Sequence, residues 1–500
     1  MKRAIALAVL CTAAMLACEA GGVTDAGLPT EEHEGAGTGA TEDMLPELFE
    51  DRTLFPTEFA DPQQDCVECH EQHVQEWEIS NHAYAQKDPV YLAMVKAGQA
   101  ATGGKLGQFC VQCHTPTGLA NDLTPVVELD DGTFMQDFSQ LDEIGQQGVS
   151  CDVCHTMSEV VEPVNARMAM TPDGNKRGGI VDPIDTDAHG SVYSELHKSP
   201  EMCGSCHAVV NPKGALIEET FGEYARSSAA ERGETCQTCH MPAYTGRATP
   251  DAPERELHRH TFVGVDVSLL PPDEFPGYDT MRELTTELLR SSAEFSARYA
   301  EDSGRVELAI ENKAGHALPS GATAERQMWV EILVRDADDN VVFESGTLDA
   351  GDDVRDGIHG EQPGTDPQLI YFGQQMIDIE GFADMNDAEK ATARERASEN
   401  CISIALGAVK PDSGLMPVTF PWQASWQCNY LIEPDETAQA GYDLPELPAG
   451  DYVADIRLLF RTFPPYFLRE LEAVADLDPE VKTRLPTVEM AAERLSFSVR

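Results

Sequence analysis

Five copies of Cys-x-x-Cys-His, at Cys66/Cys69/His70, Cys110/Cys113/His114, Cys151/Cys154/His155, Cys203/Cys206/His207 and Cys236/Cys239/His240, use ten of the chain's fourteen cysteines. The spacing is the attachment signature of c-type haem: two thiols bond to the porphyrin vinyl groups, and the adjacent histidine sits under the iron as proximal ligand. Structural zinc sites and redox dithiols also use Cys-x-x-Cys. At this chain's Cys and His frequencies about 0.01 chance copies of the pattern are expected. Neither zinc nor dithiol chemistry asks for a histidine after every second cysteine. The expected cofactor is therefore haem c, five groups covalently attached, with His70, His114, His155, His207 and His240 as proximal ligands.

The N-terminus fits a protein loaded with haem outside the cytoplasm. Met1-Lys2-Arg3 is basic, and Ala4 to Ala17 is an apolar run too short to span a bilayer. Residues 1–17 read as a lipoprotein-type signal peptide. Met15-Leu16-Ala17-Cys18 resembles a lipoprotein cleavage box, with Met15 where leucine is usual, and makes Cys18 the expected lipidation site; an ordinary secretory peptide is the alternative. Residues 18–60, rich in Gly, Thr, Glu and Asp, read as a disordered acidic linker. Cys11 leaves with the signal. The expectation is an exported protein, periplasmic or an outer-membrane lipoprotein with the cell surface open to it, touching membrane only through a lipid anchor. A formal charge of −52 excludes nucleic acid and suits cationic redox partner proteins, whose identity as donor or acceptor stays open.

The fold class expected is α+β multidomain: a loop- and helix-rich pentahaem cytochrome domain over 61–265, then a β-sandwich-like domain over 303–463. Motif starts lie 44, 41, 52 and 33 residues apart, which excludes a repeat array. Asp88 to Ala97 reads as a helical patch turning Val90, Leu92, Met94 and Val95 towards a haem. Pro271-Pro272 and Phe275-Pro276-Gly277 open a helical connector over 266–302, with helical spacing from Thr280 to Tyr299. Val306, Leu308 and Ile310 then alternate, as do Met328 to Val334, before the turn Asp336 to Asn340, the return strand Val341 to Phe343 and a last strand Tyr452 to Phe460. A helical insertion is expected at Ala388 to Ser398, and residues 464–500 read as a C-terminal helix, Pro464 to Val474, and strand, Leu495 to Val499. Cys401 and Cys428 fall outside any motif, and in an oxidising compartment a disulfide is expected.

Function turns on the sixth place of each iron. An iron with two protein ligands passes electrons, whereas an open one binds a small molecule. After the first motif comes Trp77 and then Ser80-Asn81-His82. This arrangement is similar to the multihaem cytochromes related to the tetrahaem electron acceptor of ammonia oxidisers and to hydroxylamine oxidoreductase. Gly148-Val149-Ser150, His197-Lys198-Ser199-Pro200-Glu201-Met202 before Cys203, and Met241-Pro242 strengthen the likeness. Asn312 to Gly321, then Arg326, Trp329, Phe343 to Gly346 and Arg457 to Leu468, resemble the β-domain that follows the haems in many secreted bacterial multihaem cytochromes.

The resemblance implies that His82 and His197 are distal ligands, and that His260, with His258 as the alternative, closes the haem domain. His189 and His316 complete five candidates for five irons; His316 lies on a Gly-flanked loop, where a turn histidine bonded to backbone is the other reading. His73 and His359 are expected to be exposed, and His33 belongs to the linker. Met157, Met168, Met170 and Met241 are expected to pack. On this count every haem is bis-histidinyl and the chain is an electron carrier in respiratory or extracellular electron transfer, with no catalytic residue. The alternative is an oxidoreductase acting on a small nitrogen or sulfur compound at one five-coordinate haem. Against it, no motif ends in lysine, as the active haem of related nitrite reductases does, and no tyrosine stands out as the cross-link of hydroxylamine oxidoreductase.

Overall fold

The computed structural model describes residues 59–121, 126–359, 364–405 and 413–500, all within one compact unit. The expected signal peptide, Cys18, His33 and nearly all of the linker lie outside the described residues. Phe59 and Ala60, assigned to the linker, belong instead to the folded body. Phe59 is 4% exposed in a cluster with Val153, Met157, Met168 and Met170, and Ala60 N donates to Asp152 Oδ2 at 2.6 Å. Its aromatic ring has a core to enter, which the acidic residues before it lack.

Residues 61–265 carry short helices and two-stranded ribbons. The longest helices here are Val67–Glu78 and Pro89–Thr102. The second is capped at its start by Asp88, which accepts from Val90 N, and stops at Gly103 in the left-handed region, φ 60°. Its face of Val90, Ala93 and Ala97 packs with Phe420, Trp422, Phe463, Phe467 and Leu471 from the C-terminal part, and Cys110 borders the same cluster.

Among the described residues ten strands build the C-terminal part: β1 (Ala293–Ala300), β2 (Arg305–Asn312), β3 (Gln327–Asp336), β4 (Val341–Ser345), β5 (Ile370–Ile379), β6 (Leu415–Pro417), β7 (Trp426–Tyr430), β8 (Thr437–Asp443), β9 (Gly450–Arg461) and β10 (Val488–Val499). One antiparallel sheet runs β1-β2-β8; the other runs β6-β5-β3-β9-β10, with β4 on β3 and β7 on β5. Their inner faces share one core, Phe295, Val306, Leu308, Ile310 and Tyr442 meeting Met328, Val330, Ile332, Ile456, Leu458 and Phe460. Two sheets face to face around an alternating apolar core form a sandwich.

The helix read from Thr280 to Tyr299 ends at Ser291, and Ala293–Ala300 is a strand. Phe295, Ala297 and Tyr299 also alternate by two, and pairing with Ile310, Leu308 and Val306 decides between the two periods. The sandwich thus begins ten residues before 303. The insertion is the longer helix Asp387–Ala405, and Cys401 on it is bonded to Cys428 on β7, with Cα atoms 5.3 Å apart. No helix among the described residues is long and apolar enough to cross a membrane.

Candidate haem sites

Each motif sits on or beside a short helical turn, in Val67–Glu78, Val111–His114, Cys151–His155, Glu201–Gly204 and Cys236–His240. Positions three apart share a helix face, so both thiols of a motif point the same way. All ten are free of disulfides. Cys69, assigned to haem attachment with the rest, departs from most of them in its setting: it is exposed, as is Cys239, whereas the other eight are partly buried. The attachment role of Cys69 therefore rests on the motif spacing and not on enclosure by the protein. The proximal rings share one hydrogen-bonding habit. Nδ1 of His70, His114, His155 and His240 donates to the carbonyls of Ala248 (2.9 Å), Ala85 (3.0 Å), Arg177 (2.6 Å) and Val263 (2.7 Å). His207 Nδ1 donates to Glu218 Oε1 at 3.0 Å. With the proton held at Nδ1, Nε2 carries the lone pair that a metal needs.

Three histidines outside the motifs show the same habit and also face a proximal ring. His189, His260 and His316 donate Nδ1 to the carbonyls of Gly190, His258 and Ala317, at 2.9, 2.9 and 3.0 Å. Each faces a proximal ring: His70 and His189, His155 and His260, and His240 and His316 all have centroids 6.3 Å apart, with interplanar angles of 22°, 21° and 16°. Two imidazoles on one metal atom, at about 2 Å per nitrogen, place their centroids roughly 6 Å apart. These residues therefore fit haem with two axial histidines. Loss of solvent drives His260 down to about 3 and His316 to about 4, which keeps both rings neutral and able to ligate.

His82 lies on the short helix Asn81–Tyr84, capped by Ser80 Oγ accepting from Ala83 N. Its carbonyl accepts from Val149 N at 2.9 Å, and Trp77 Nε1 donates to the Val149 carbonyl at 2.8 Å. That approach needs Gly148, at φ 73°, where a Cβ would stand 2.5 Å from the His82 oxygen. Burial, then the fields of His207 and His240, lower His82 to about 3, so its neutral imidazole lies within electrostatic reach of both proximal rings.

His197 is placed differently. Its Nε2 bonds the Cys154 carbonyl at 2.9 Å, and only the buried, unpartnered Nδ1 is left to face a metal. It lies 5.8 Å from His155, whose other neighbour, His260, has Nε2 free. His258 also donates Nδ1 to a carbonyl, that of Met241 at 2.6 Å, but it stacks on no proximal ring among the described residues and supplies its own carbonyl to His260. His73 and His359 are not exposed as expected. His73 bonds Tyr244 OH at 3.1 Å and stands edge-on to His260 at 4.8 Å; His359 bonds Asp356 at 2.8 Å and stacks on Tyr466. Met157, Met168 and Met170 are buried packing residues.

The second motif has a different neighbour. His114 is stacked on Tyr91, centroids 3.9 Å apart and planes 3° apart, and the buried Tyr91 hydroxyl has no hydrogen-bond partner among the described residues. Sequence reasoning turned Val90, Leu92, Met94 and Val95 of this helix towards haem and passed over Tyr91. It also missed Glu218, which holds His207 up at about 9 although burial alone would lower it. Neither carries a spacing signal, because both are set by tertiary contact. Spatial order is equally new. The Cys66 thiol is within hydrogen-bonding reach of Cys151, Cys113 of Cys206, and Cys203 of Cys236. Motif 1 thus adjoins motif 3, and motif 4 adjoins both 2 and 5. The second thiols of motifs 1 and 5, Cys69 and Cys239, face outward. Cys110 of motif 2 borders the cluster of Phe420, Trp422 and Phe467, and both thiols of that motif are partly buried.

The family model "Cytochrome c554 and c-prime" matches residues 65–156. Among solved structures, a penta-heme cytochrome c552 from Thermochromatium tepidum is similar over 87% of this chain and 98% of its own, with a TM-score of 0.54 and 18% identity. At that identity the likeness is one of fold. No curated protein matches. Motifs, paired histidines and both matches together support a multihaem c-type cytochrome with haem-based electron transfer.

Proposed function

We propose that this chain is an electron carrier that holds five haem c groups and passes electrons along them in respiration or to an extracellular acceptor, as an exported protein tethered by lipid at Cys18. The observation that carries the reading is the set of three histidine pairs at 6.3 Å, each ring with Nδ1 tied to a carbonyl and Nε2 free. Haem, when bound, supplies an iron that alternates between ferric and ferrous. The chain's own residues fill both axial places and so close those irons to substrate. The pairs assigned are His70/His189, His155/His260, His207/His82 and His240/His316. Thiol contacts join motif 1 to 3 and motif 4 to 2 and 5, and the electrostatic influence of Cys206 on Cys154 supports passage between motifs 3 and 4. A count of five haems agrees with the penta-heme relative.

One observation favours a second reading. His114 has a tyrosine rather than a histidine beside it, so an oxidoreductase would work at the second motif on a small nitrogen or sulfur compound. Reductive titration of the mature holoprotein, with its intact mass, separates the two. A carrier shows five haem masses, takes up five electrons per chain and returns them to a one-electron oxidant. Sustained consumption of hydroxylamine, nitrite or sulfite by the reduced protein would replace it with the second reading.

A further inference from the structure

His316 belongs to the sandwich, on the loop between β2 and β3, whereas the ring it faces, His240, belongs to the haem motifs. Something must hold that loop across the joint to a fraction of an ångström, because ligation tolerates little error. On the sandwich side Asn312 does this. Its Nδ2 donates to the carbonyls of His316 (2.8 Å), Ile432 (2.9 Å) and Glu433 (3.2 Å), and its Oδ1 accepts from Ala314 N at 2.8 Å.

On the haem side the anchor is the helix Thr220–Ala225, between the fourth and fifth motifs. Thr220 Oγ1 accepts from Gly321 N at 3.1 Å and lies 2.9 Å from Ser320 Oγ. Glu223 Oε2 accepts from Ala317 N at 3.2 Å and from Ser320 Oγ at 2.5 Å. Glu223 is 2% exposed, and a carboxylate buried so deeply, with Glu219 and Glu433 nearby, is costly unless its bonds serve a purpose. Ala317 receives Glu223 on its N–H and the His316 ring on its carbonyl. A single residue therefore links the carboxylate to the orientation of the imidazole.

We propose that Glu223 is the positioning residue for His316, holding the loop 314–321 so that this imidazole fills the sixth place of the haem at Cys236 and Cys239. The proposal rests on the reading of His240 and His316 as an axial pair. It makes coordination at the fifth motif depend on contact between the haem-bearing part and the sandwich. Losing an outer contact that orients a ligand commonly weakens metal binding by about 10–100-fold.

The test uses the full holoprotein and its His316→Ala, Glu223→Ala, Glu223→Gln and Glu223→Asp variants, with carbon monoxide bound per reduced chain and the ferric high-spin signal as readouts. His316→Ala gains one carbon monoxide site over the native protein. Glu223→Ala moves the same way, Glu223→Gln keeps an acceptor oxygen and stays native, and Glu223→Asp, with its acceptor drawn back by one methylene, gains a partial site. Should Glu223→Ala not fold, the Asp and Gln variants decide. A gain in His316→Ala with native values in both Glu223→Ala and Glu223→Asp overturns the positioning role while leaving the axial pair standing. No gain in His316→Ala overturns the axial pair and the proposal with it.

Discussion

Glu325 ends the turn Thr323–Glu325 with a carboxylate that is 6% exposed and accepts no hydrogen bond among the described residues. Burial raises it to about 7; Arg326 pulls it down, while Asp266, Asp88 and Glu218 push it up. Arg326 is spent elsewhere, on the Asp266 carboxylate and the Thr462 carbonyl. A carboxyl raised in the folded state binds its proton more tightly there than in the unfolded chain. Its stability contribution is therefore present below about 4.5 and is lost as pH rises towards about 7. Glu325→Gln removes this loss. Its thermal midpoint should match the native one near pH 4 and exceed it increasingly up to neutrality, by a stabilisation on the order of 3 kcal/mol at most. A gap that does not change with pH contradicts the assignment. At this scale the proximal histidines were legible because covalent attachment imposes a spacing. Tyr91, Glu218 and Glu325 were not, since each owes its place to a partner distant in sequence. The same holds for the outward setting of Cys69, which its motif shares with no spacing signal of its own.

The sandwich strands follow from alternation, and β3 with β9 pairs over its full length, from Gln327 with Arg461 to Asp336 with Tyr452. The end of β4 is held by backbone detail that alternation does not reveal. Trp329 on β3 is fully buried and donates Nε1 to the Gly346 carbonyl at 3.0 Å, while Gly346 N donates to Asp366 Oδ2 at 2.7 Å. Gly346 adopts φ 73°, and a Cβ there would meet the Val330 oxygen at 2.1 Å. Gly346→Ala should therefore cost at least about 2 kcal/mol, read by calorimetry as a fall in the sandwich melting temperature. An unchanged melt means the turn relaxes without loss. Where two periods compete, as in Ala293–Ala300, a single sequence underdetermines the element, because Met281, Leu288, Leu289 and Phe295 satisfy a helical pattern until β2 supplies a partner.

Across the whole molecule, the sequence pointed to haem, to a haem-bearing part followed by sheets, and to a pool of candidate distal histidines. It did not order the motifs in space, because thiol neighbours such as Cys113 and Cys206 come from segments far apart in the chain. Nor did it separate His260 from His258 and His197. His197 differs from His260 in the ring nitrogen already bonded, Nε2 at the Cys154 carbonyl, whereas His258 shares the Nδ1 bond of His260 and differs in not stacking on a proximal ring among the described residues. His316 reaches its proximal partner only because the sandwich packs on the haem-bearing part, so the second half of the chain completes the wiring of the first. The formal charge of −52 surrounds the molecule with a negative field that weakens with salt. Axial pairing by histidine is open to direct measurement. Near-infrared magnetic circular dichroism of the ferric native holoprotein reads axial ligands directly: bis-histidine low-spin signals are expected from the haems of motifs 1, 3, 4 and 5, with the second motif alone departing. High-spin or histidine–methionine signals from two or more haems would contradict it.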